Sequence, residues 1–422
     1  MKRKTILIGI VIALLFPSGN IYAQTNVETR RATSLPECIE IALQNNLTLK
    51  SGRIAIERAK ELQGTAFNMD KTGFSMSQDP TAGGSPDNSL SVSQSFAFPT
   101  VYTTRHGLLK AETNLEKARL EVSVNELVKE ITGAYYQLLH AKENIKILRE
   151  QDRIYQQFVF LASTKFNSGE TNRLEVMQAE RLYNENKMEM QKAGKELQNI
   201  QLTLQQWLNT GELIEPQEDS LPVMVFNSPL HSLDISQTPS NRIYESRLKV
   251  SEKNLSLQRQ EFLPDFNFSL RNQFLLKGFN PYSIERERFE PGNFMGFEVG
   301  ISLPLFFGEQ RAKTRAAQKE VEMLRTEKEQ VLSSLQKEYK AGINAYENAK
   351  ANVDYYINTG NKQAEEMARI SQLAYEKGEI GYVEYIQNLK TVIEIHWQYA
   401  NAVNELNQVI IKLNAFELRI TN

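Results

Sequence analysis

Two stretches of the 422-residue chain decide its fold. The first is Phe166-Asn-Ser-Gly169-Glu170-Thr-Asn-Arg-Leu174-Glu175-Val176-Met-Gln178. The second is Tyr375-Glu-Lys-Gly378-Glu379-Ile-Gly-Tyr-Val383-Glu384-Tyr385-Ile-Gln387. An aromatic, a Gly-Glu pair, an aliphatic-Glu pair and a Gln recur in the same places, half a chain apart. That spacing implies two copies of one larger unit. Each glycine joins two long helical patterns, so each stretch reads as the tip of a helical hairpin.

Outward from the first tip, Leu108, Ala111, Leu115, Ala118 and Val122 keep alternating three- and four-residue spacing. The pattern breaks near Asn125 and resumes with Ile131, Ala134, Leu138, Ala141, Ile145 and Leu148. These seams contain small residues, which suit close helix packing. No proline occurs from Thr100 to Gly211. The spacing predicts a helix from about Thr103 of about sixty residues, roughly 90 Å long. A return helix follows Gly169 and runs to about Leu208. In the second copy, one helix runs from about Glu309 to the region of Gly360, and the return arm follows Gly378 to about Glu417.

Ahead of each long helix the period changes from helical to alternating. Phe74 and Met76 alternate with Ser75 and Ser77; after a turn-rich loop over 79–87, Leu90, Val92, Phe96 and Phe98 alternate with serines and Ala97. Gln94 is the exception on the apolar side. In the second copy Phe266, Phe268, Leu270, Phe274 and Leu276 share a side, with Asn272 the exception, and Met295, Phe297, Val299, Ile301 and Leu303 follow the long polar loop 277–293. Each pair reads as two strands with one apolar and one polar face. Pro99 and Pro304 stand where strand gives way to helix. The fold class is mainly α with a small β part: long helical hairpins plus four strands.

The organisation follows. Residues 1–23 read as a signal peptide: Lys2, Arg3 and Lys4, a short apolar run over 6–16, a Pro17-Ser18-Gly19 break, and Ala23 before the cut. Residues 24–210 form the first repeat, with a helix over about 39–63, a strand pair over 72–98 and a tip over 166–178. Residues 211–240, with Pro216, Pro222, Pro229 and Pro239 among Ser, Asp and Glu, form a linker or a small equatorial side structure at the boundary between the repeats. Residues 241–422 form the second repeat, with a strand pair over 264–304 and a tip over 360–387.

The single Cys38 stands about fifteen residues past the expected cut. That position suits neither lipid attachment nor an internal disulfide, and its expected role is that of a small buried apolar residue. The 49 basic and 51 acidic residues give a net charge of −2, with no basic face for nucleic acid. No stretch past the signal is apolar enough for a transmembrane helix.

Two readings fit the strands. Alternation with aromatic enrichment in an exported chain suits a transmembrane barrel wall; it also suits a soluble sheet packed on a core. Four strands cannot close a barrel, and closure is required in lipid, so the first reading needs an oligomer that pools strands. The full set of features resembles the outer-membrane efflux channel family, of which TolC is the type member. The residues that carry the resemblance are Cys38-Ile39-Glu40-Ile41-Ala42-Leu43 with Asn46, the junction Ser93-Gln94-Ser95-Phe96-Ala97-Phe98-Pro99, Tyr136 and Leu139-His140-Ala141, both glycine tips, and the duplicated plan. The junction and the 79–87 loop look most like the heavy-metal-efflux branch (CusC and CzcC types).

The resemblance implies a homotrimer with a twelve-stranded barrel in outer-membrane lipid, continued by a periplasmic helical barrel. It implies a periplasmic membrane-fusion adaptor and an inner-membrane RND-type pump as partners, docking at the far end. Heavy-metal cations are then the expected cargo, with multidrug or type I secretion export by the same fold as the alternative. Matched by motif, the pore constriction falls at Glu384 and Gln387, and only the first is acidic. Three Glu384 carboxylates at the axis would repel each other and attract cations; a solvated helix charge is the plainer reading of the same residue. Tyr375 and Glu175 match a closed-state latch, while the arginine of a second latch is replaced by Ile380. Gly169 and Gly378 match the tip turns at which adaptor hairpins dock, and a helix C-cap fits them equally.

No catalytic constellation stands out, and no cofactor is implied. His106, His140, His231 and His396 lack metal-ligand spacing. Met188 and Met190 do not share a helix face. A soluble periplasmic coiled-coil adaptor is the reading from another class, but it would lack two matched Phe-rich strand pairs.

Overall fold

The computed structural model of the chain describes residues 30–80, 86–227, 233–274 and 293–416. The expected signal peptide, His231, Pro229 and most of both strand-connecting loops lie outside the described residues.

The chain opens with β1 (Arg30–Thr33), α1 (Leu35–Asn45) and α2 (Leu47–Gln63). Two strands, β2 (Gly73–Pro80) and β3 (Pro86–Phe96), lead into α3 (Pro99–Asn167) and its return helix α4 (Arg173–Leu208). After β4 (Leu213–Pro216), the second copy runs through α5 (Pro239–Gln260), β5 (Asp265–Phe274) and β6 (Asn293–Ser302). It ends in α6 (Gly308–Tyr355), a π-helical turn (Tyr356–Gly360), α7 (Asn361–Glu376) and α8 (Tyr382–Asn414).

Two sequence expectations need correction. The first helix is two helices, because Asn46 interrupts it. Its Oδ1 accepts the N–H groups of Thr48 and Leu49 at 2.9 and 3.2 Å, and its Nδ2 donates to the Trp207 carbonyl at 3.0 Å. An asparagine cap restarts the helix without disturbing the apolar periodicity, so the pattern runs through it. The second correction is the start of α3, at Pro99 rather than about Thr103; the helix runs unbroken through Asn125, where only the apolar pattern lapses. It holds 69 residues, about 100 Å at 1.5 Å per residue. Proline suits its first position because the N–H it lacks would be unpaired there. The half-buried Asn125 side chain donates to the Ala415 carbonyl at 2.6 Å. Of the two readings of the 211–240 segment, a small side structure is present: β4 pairs in parallel with β1 from the other end of the repeat.

That two-stranded pairing sits on the largest core. Cys38, Ile131, Leu138, Leu204, Leu208 and Ile214 are buried together there. Burial, with the nearby Glu37 and Glu218 carboxylates, pushes the Cys38 thiol up to about 12, so it stays protonated and packs as an apolar residue. The segment after β4 is then tied down by side chains from two helices: Lys142 of α3 donates to the Pro216 and Glu218 carbonyls at 3.4 and 3.3 Å. Asn407 of α8 is fully buried; its Oδ1 accepts the Met224 N–H and its Nδ2 donates to the Pro222 carbonyl, both at 2.8 Å.

The four longer strands form one antiparallel sheet in the order β2-β3-β5-β6. The register lines up Phe74, Val92, Leu270 and Phe297 in one row, and Phe96, Phe266 and Ile301 in another. This apolar face is open: Phe74 and Phe297 are each 75% exposed and Met295 78%. The opposite face is polar: a ladder of serines with Arg271, Gln273 and Glu298 in the same rows. Ser75 and Ser91 hydroxyls meet at 2.6 Å, Ser77 and Ser89 at 2.8 Å, and Ser95 donates to Asn267 at 2.6 Å. Gln94 departs from the apolar pattern because it closes the strand base: its Nε2 donates to the Asp70 carbonyl and its Oε1 accepts from Thr72, both at 2.7 Å. Below the sheet, α2, α3, α5 and α6 lie side by side, and the α3–α4 and α7–α8 hairpins extend away, with α8 packed on α3. Among the described residues no helix is long and apolar enough to cross a membrane.

Replacing Asn407 with Ala strands a backbone N–H and a carbonyl together, at a cost of about 2 kcal/mol. The expected result is faster proteolytic nicking within residues 217–227 in folded protein, read by mass spectrometry. Equal nicking rates would contradict the clamp.

Candidate gate at the hairpin tips

Both hairpins end in the same backbone device. Gly169 and Gly378 have φ of +80° and +74°, in the left-handed region that favours glycine. In the first tip the Glu170 N–H bonds the Lys165 carbonyl at 2.8 Å; in the second the Glu379 N–H bonds the Ala374 carbonyl at 2.8 Å. These reach back over the last turn and satisfy carbonyls that the helix end leaves free. A Cβ on either glycine would meet nothing within 4 Å. Backbone conformation therefore explains the glycines, and the space above them is open in the chain. The restarts differ: the Asn172 side chain caps α4 by accepting the Glu175 N–H at 3.1 Å, while α8 starts at Gly381 with no side-chain cap.

The second hairpin is pinned to the first by aromatic packing. Tyr155, Phe158 and Ala162 of α3, Val176 and Ala179 of α4, and Tyr382 and Ile386 of α8 form one buried cluster. The Phe158 and Tyr382 rings are 5.4 Å apart. Tyr375 stacks on Tyr385 at 4.9 Å with rings nearly parallel, and lies 5.3 Å from Tyr382. Burial, then the neighbouring Tyr375 and Tyr385, raises the Tyr382 hydroxyl above the usual tyrosine range. The contact is thus neutral. Its signal in the sequence is the three-residue spacing of Tyr155 and Phe158 and the four-residue spacing of Tyr382 and Ile386, which the repeat comparison passed over.

The residues singled out by the sequence are distributed around this cluster. Glu384 and Gln387 lie in the first turns of α8, exposed, and at 100° per residue they point away from the buried Tyr382 and Ile386. Neither side chain has a hydrogen bond or ion pair among the described residues. Glu175 is half-buried and its carboxylate accepts from the Thr171 hydroxyl. Tyr375 contributes its ring, and no hydrogen bond joins it to Glu175 within the described chain. Pro99 opens α3, and Pro304 lies between β6 and α6. His140 Nε2 lies 2.9 Å from Asn401 Oδ1, between α3 and α8, and burial lowers its pKa. Among the described residues no three His, Cys, Asp or Glu side chains are grouped to hold a metal ion.

The sequence matches the family model described as outer membrane efflux protein over residues 38–210 and 237–415. The chain belongs to that family. A search of curated proteins by sequence found no match. Several solved structures share the fold. CusC is 18% identical with a TM-score of 0.73, covering 91% of this chain and 92% of its own. The CmeC outer membrane channel of Campylobacter jejuni is 18% identical with a TM-score of 0.70, covering 91% and 85%. VceC of Vibrio cholerae is 14% identical with a TM-score of 0.71, covering 90% and 95%.

Family membership settles the choice between the two readings of the strands. The open apolar face is a barrel wall in the outer membrane, and the serine ladder lines its lumen. From Met295 to Leu303 the apolar side of β6 and its exit spans about 27 Å along the chain, or about 20 Å of membrane once tilted, close to the band that a barrel presents. The hairpins extend from the barrel as the periplasmic helical part of an efflux channel.

Phe158→Ala removes the ring on which Tyr382 rests, at a cost of about 3 kcal/mol to the hairpin contact. The expected readout in planar bilayers is a higher open probability than wild type. An unchanged open probability would mean that the aromatic cluster does not hold the tip.

Proposed function

We propose that this outer-membrane efflux channel is a passive trimeric exit duct for heavy-metal cations, gated where its hairpin tips converge. The observation that carries the proposal is Glu384: an acidic side chain, exposed and without an ion-pair partner, at the start of the helix that the family places at the entrance. Three such carboxylates around one axis favour cations and disfavour anions. The junction motif ending in Pro99, similar to the heavy-metal branch, supports the same cargo. A duct needs only to pass an ion, so a weak ring serves better than a tight ligand set.

The proposed closed state combines the neutral aromatic cluster with a hydroxyl latch from Tyr375 to Glu175. The proposed partners are an adaptor whose hairpins dock in the open space over Gly169 and Gly378, and an RND-type inner-membrane pump. Gln387 would form a second, neutral rung of the constriction.

Glu384→Gln is expected to lower the cation-over-anion permeability ratio severalfold, measured from reversal potentials in a salt gradient; an unchanged ratio would remove Glu384 from the pore. Tyr375→Phe keeps the stacked ring and loses only the hydroxyl. It is expected to raise open probability, and no change would sink the latch. A deletion strain grown on metal salts, dyes and drugs tests the cargo: sensitivity to metals alone supports this reading, and sensitivity to drugs alone overturns it.

A further inference from the structure

The two repeats share the same order of elements, but their long helices differ at one place. Tyr356–Gly360 form a π-helical turn between α6 and α7. By the offset from Gly169 to Gly378, the matching residues are 147–151, and these lie inside the unbroken α3. A π-turn carries one residue more than an α-turn, with N–H groups reaching i−5 rather than i−4, and it interrupts the regular ladder. Bending concentrates at such interruptions.

The turn is built to persist. Gly360 is buried, and a Cβ there would fall 2.8 Å from Tyr356 Cδ1 and 3.5 Å from Tyr355 Cε1. The Tyr356 ring therefore occupies the place of a side chain at 360. That ring also lies 5.1 Å from Tyr355 and 6.3 Å from Tyr399 of α8, and its hydroxyl donates to Gln398 Oε1 at 3.0 Å. One side chain thus fixes the wide turn to the opposite arm of the hairpin. Packing changes at the same level. On the barrel side, Ala349, Val353, Ala402, Val403, Leu406 and Ile410 form a buried core between α6 and α8. On the tip side, the buried residues of α7 are only Ala364 and Ser371.

We infer that Tyr356–Gly360 is the pivot on which the second hairpin bends to open the tip, with Tyr356 and Gly360 as positioning residues for Glu384. The inference rests on the gate reading above and adds where the motion originates. Gly378 lies 18 residues beyond Gly360, about 27 Å along the helix. A bend of roughly 15° there moves the tip by about 7 Å, more than an aromatic contact can span. The first hairpin has no such turn at the matching level and serves as the fixed frame from which Tyr382 withdraws.

The test is removal of the extra residue. Deleting Ile357 restores an α-helical ladder while keeping the faces of α6 and α7 in register. In planar bilayers, Phe158→Ala is expected to open the channel, and Phe158→Ala with Ile357 deleted is expected to return to near wild-type open probability, about tenfold lower. Equal opening with and without the deletion overturns the pivot. If Phe158→Ala alone does not open the channel, the gate reading falls and takes the pivot with it. Tyr356→Phe covers the case of a deletion that does not assemble. It loses only the tie to Gln398 and is expected to raise open probability, and an unchanged value overturns the proposal.

Discussion

The two outer edges of the four-stranded sheet govern the rest of this structure. Within one chain β2 and β6 each pair on one side only. A ten-residue edge such as β6 leaves about ten backbone groups unpaired, and at several kcal/mol each in hydrocarbon this is roughly 30 kcal/mol per edge. No packing of one chain offsets that. Copies must pair edge to edge until the sheet closes, and three copies of four strands make the twelve-stranded barrel of the family. Closure then dictates the two faces: apolar side chains meet lipid, while serines and Asn267 line water. Arg271, Gln273 and Glu298 share that face with the serines, so the lumenal side is polar throughout.

Away from the membrane the governing balance is different. Exposed ion pairs contribute between nothing and about 1 kcal/mol each, so a charged latch at the tip is a weak fastener. Burying a ring such as Phe158 or Tyr382 is worth about 2 kcal/mol or more. Neutral packing therefore holds the second hairpin to the first without any charged contact. Glu384 is exposed on the other side of the same helix. The π-turn interrupts one helix of one hairpin, next to a barrel-side core that is buried.

How much of this was legible in the sequence depended on periodicity. Strands and hairpins announce themselves because one face is apolar over many residues, and the repeat doubled that signal. Asn46 was missed as a boundary because capping is a side-chain event that leaves the apolar period untouched. The β1–β4 pair was missed because it joins four-residue strands from distant parts of the chain, which have no period to read. At the tip, motif matching pointed to Tyr375 and Glu175 as partners; within the described chain Tyr375 instead stacks on Tyr385, and Glu175 bonds Thr171. The π-turn left no pattern at all, since one extra residue in a long helix resembles ordinary drift of the seam.

The most direct test of the central claim is the environment of consecutive β6 residues in bilayers. Spin labels placed one at a time from 295 to 302 in reconstituted protein report oxygen and water-soluble relaxants separately. The account predicts strict alternation, with oxygen access at 295, 297, 299 and 301 and aqueous access at 296, 298, 300 and 302. Uniform aqueous access along the strand would place this sheet outside the membrane and contradict the barrel on which the rest depends.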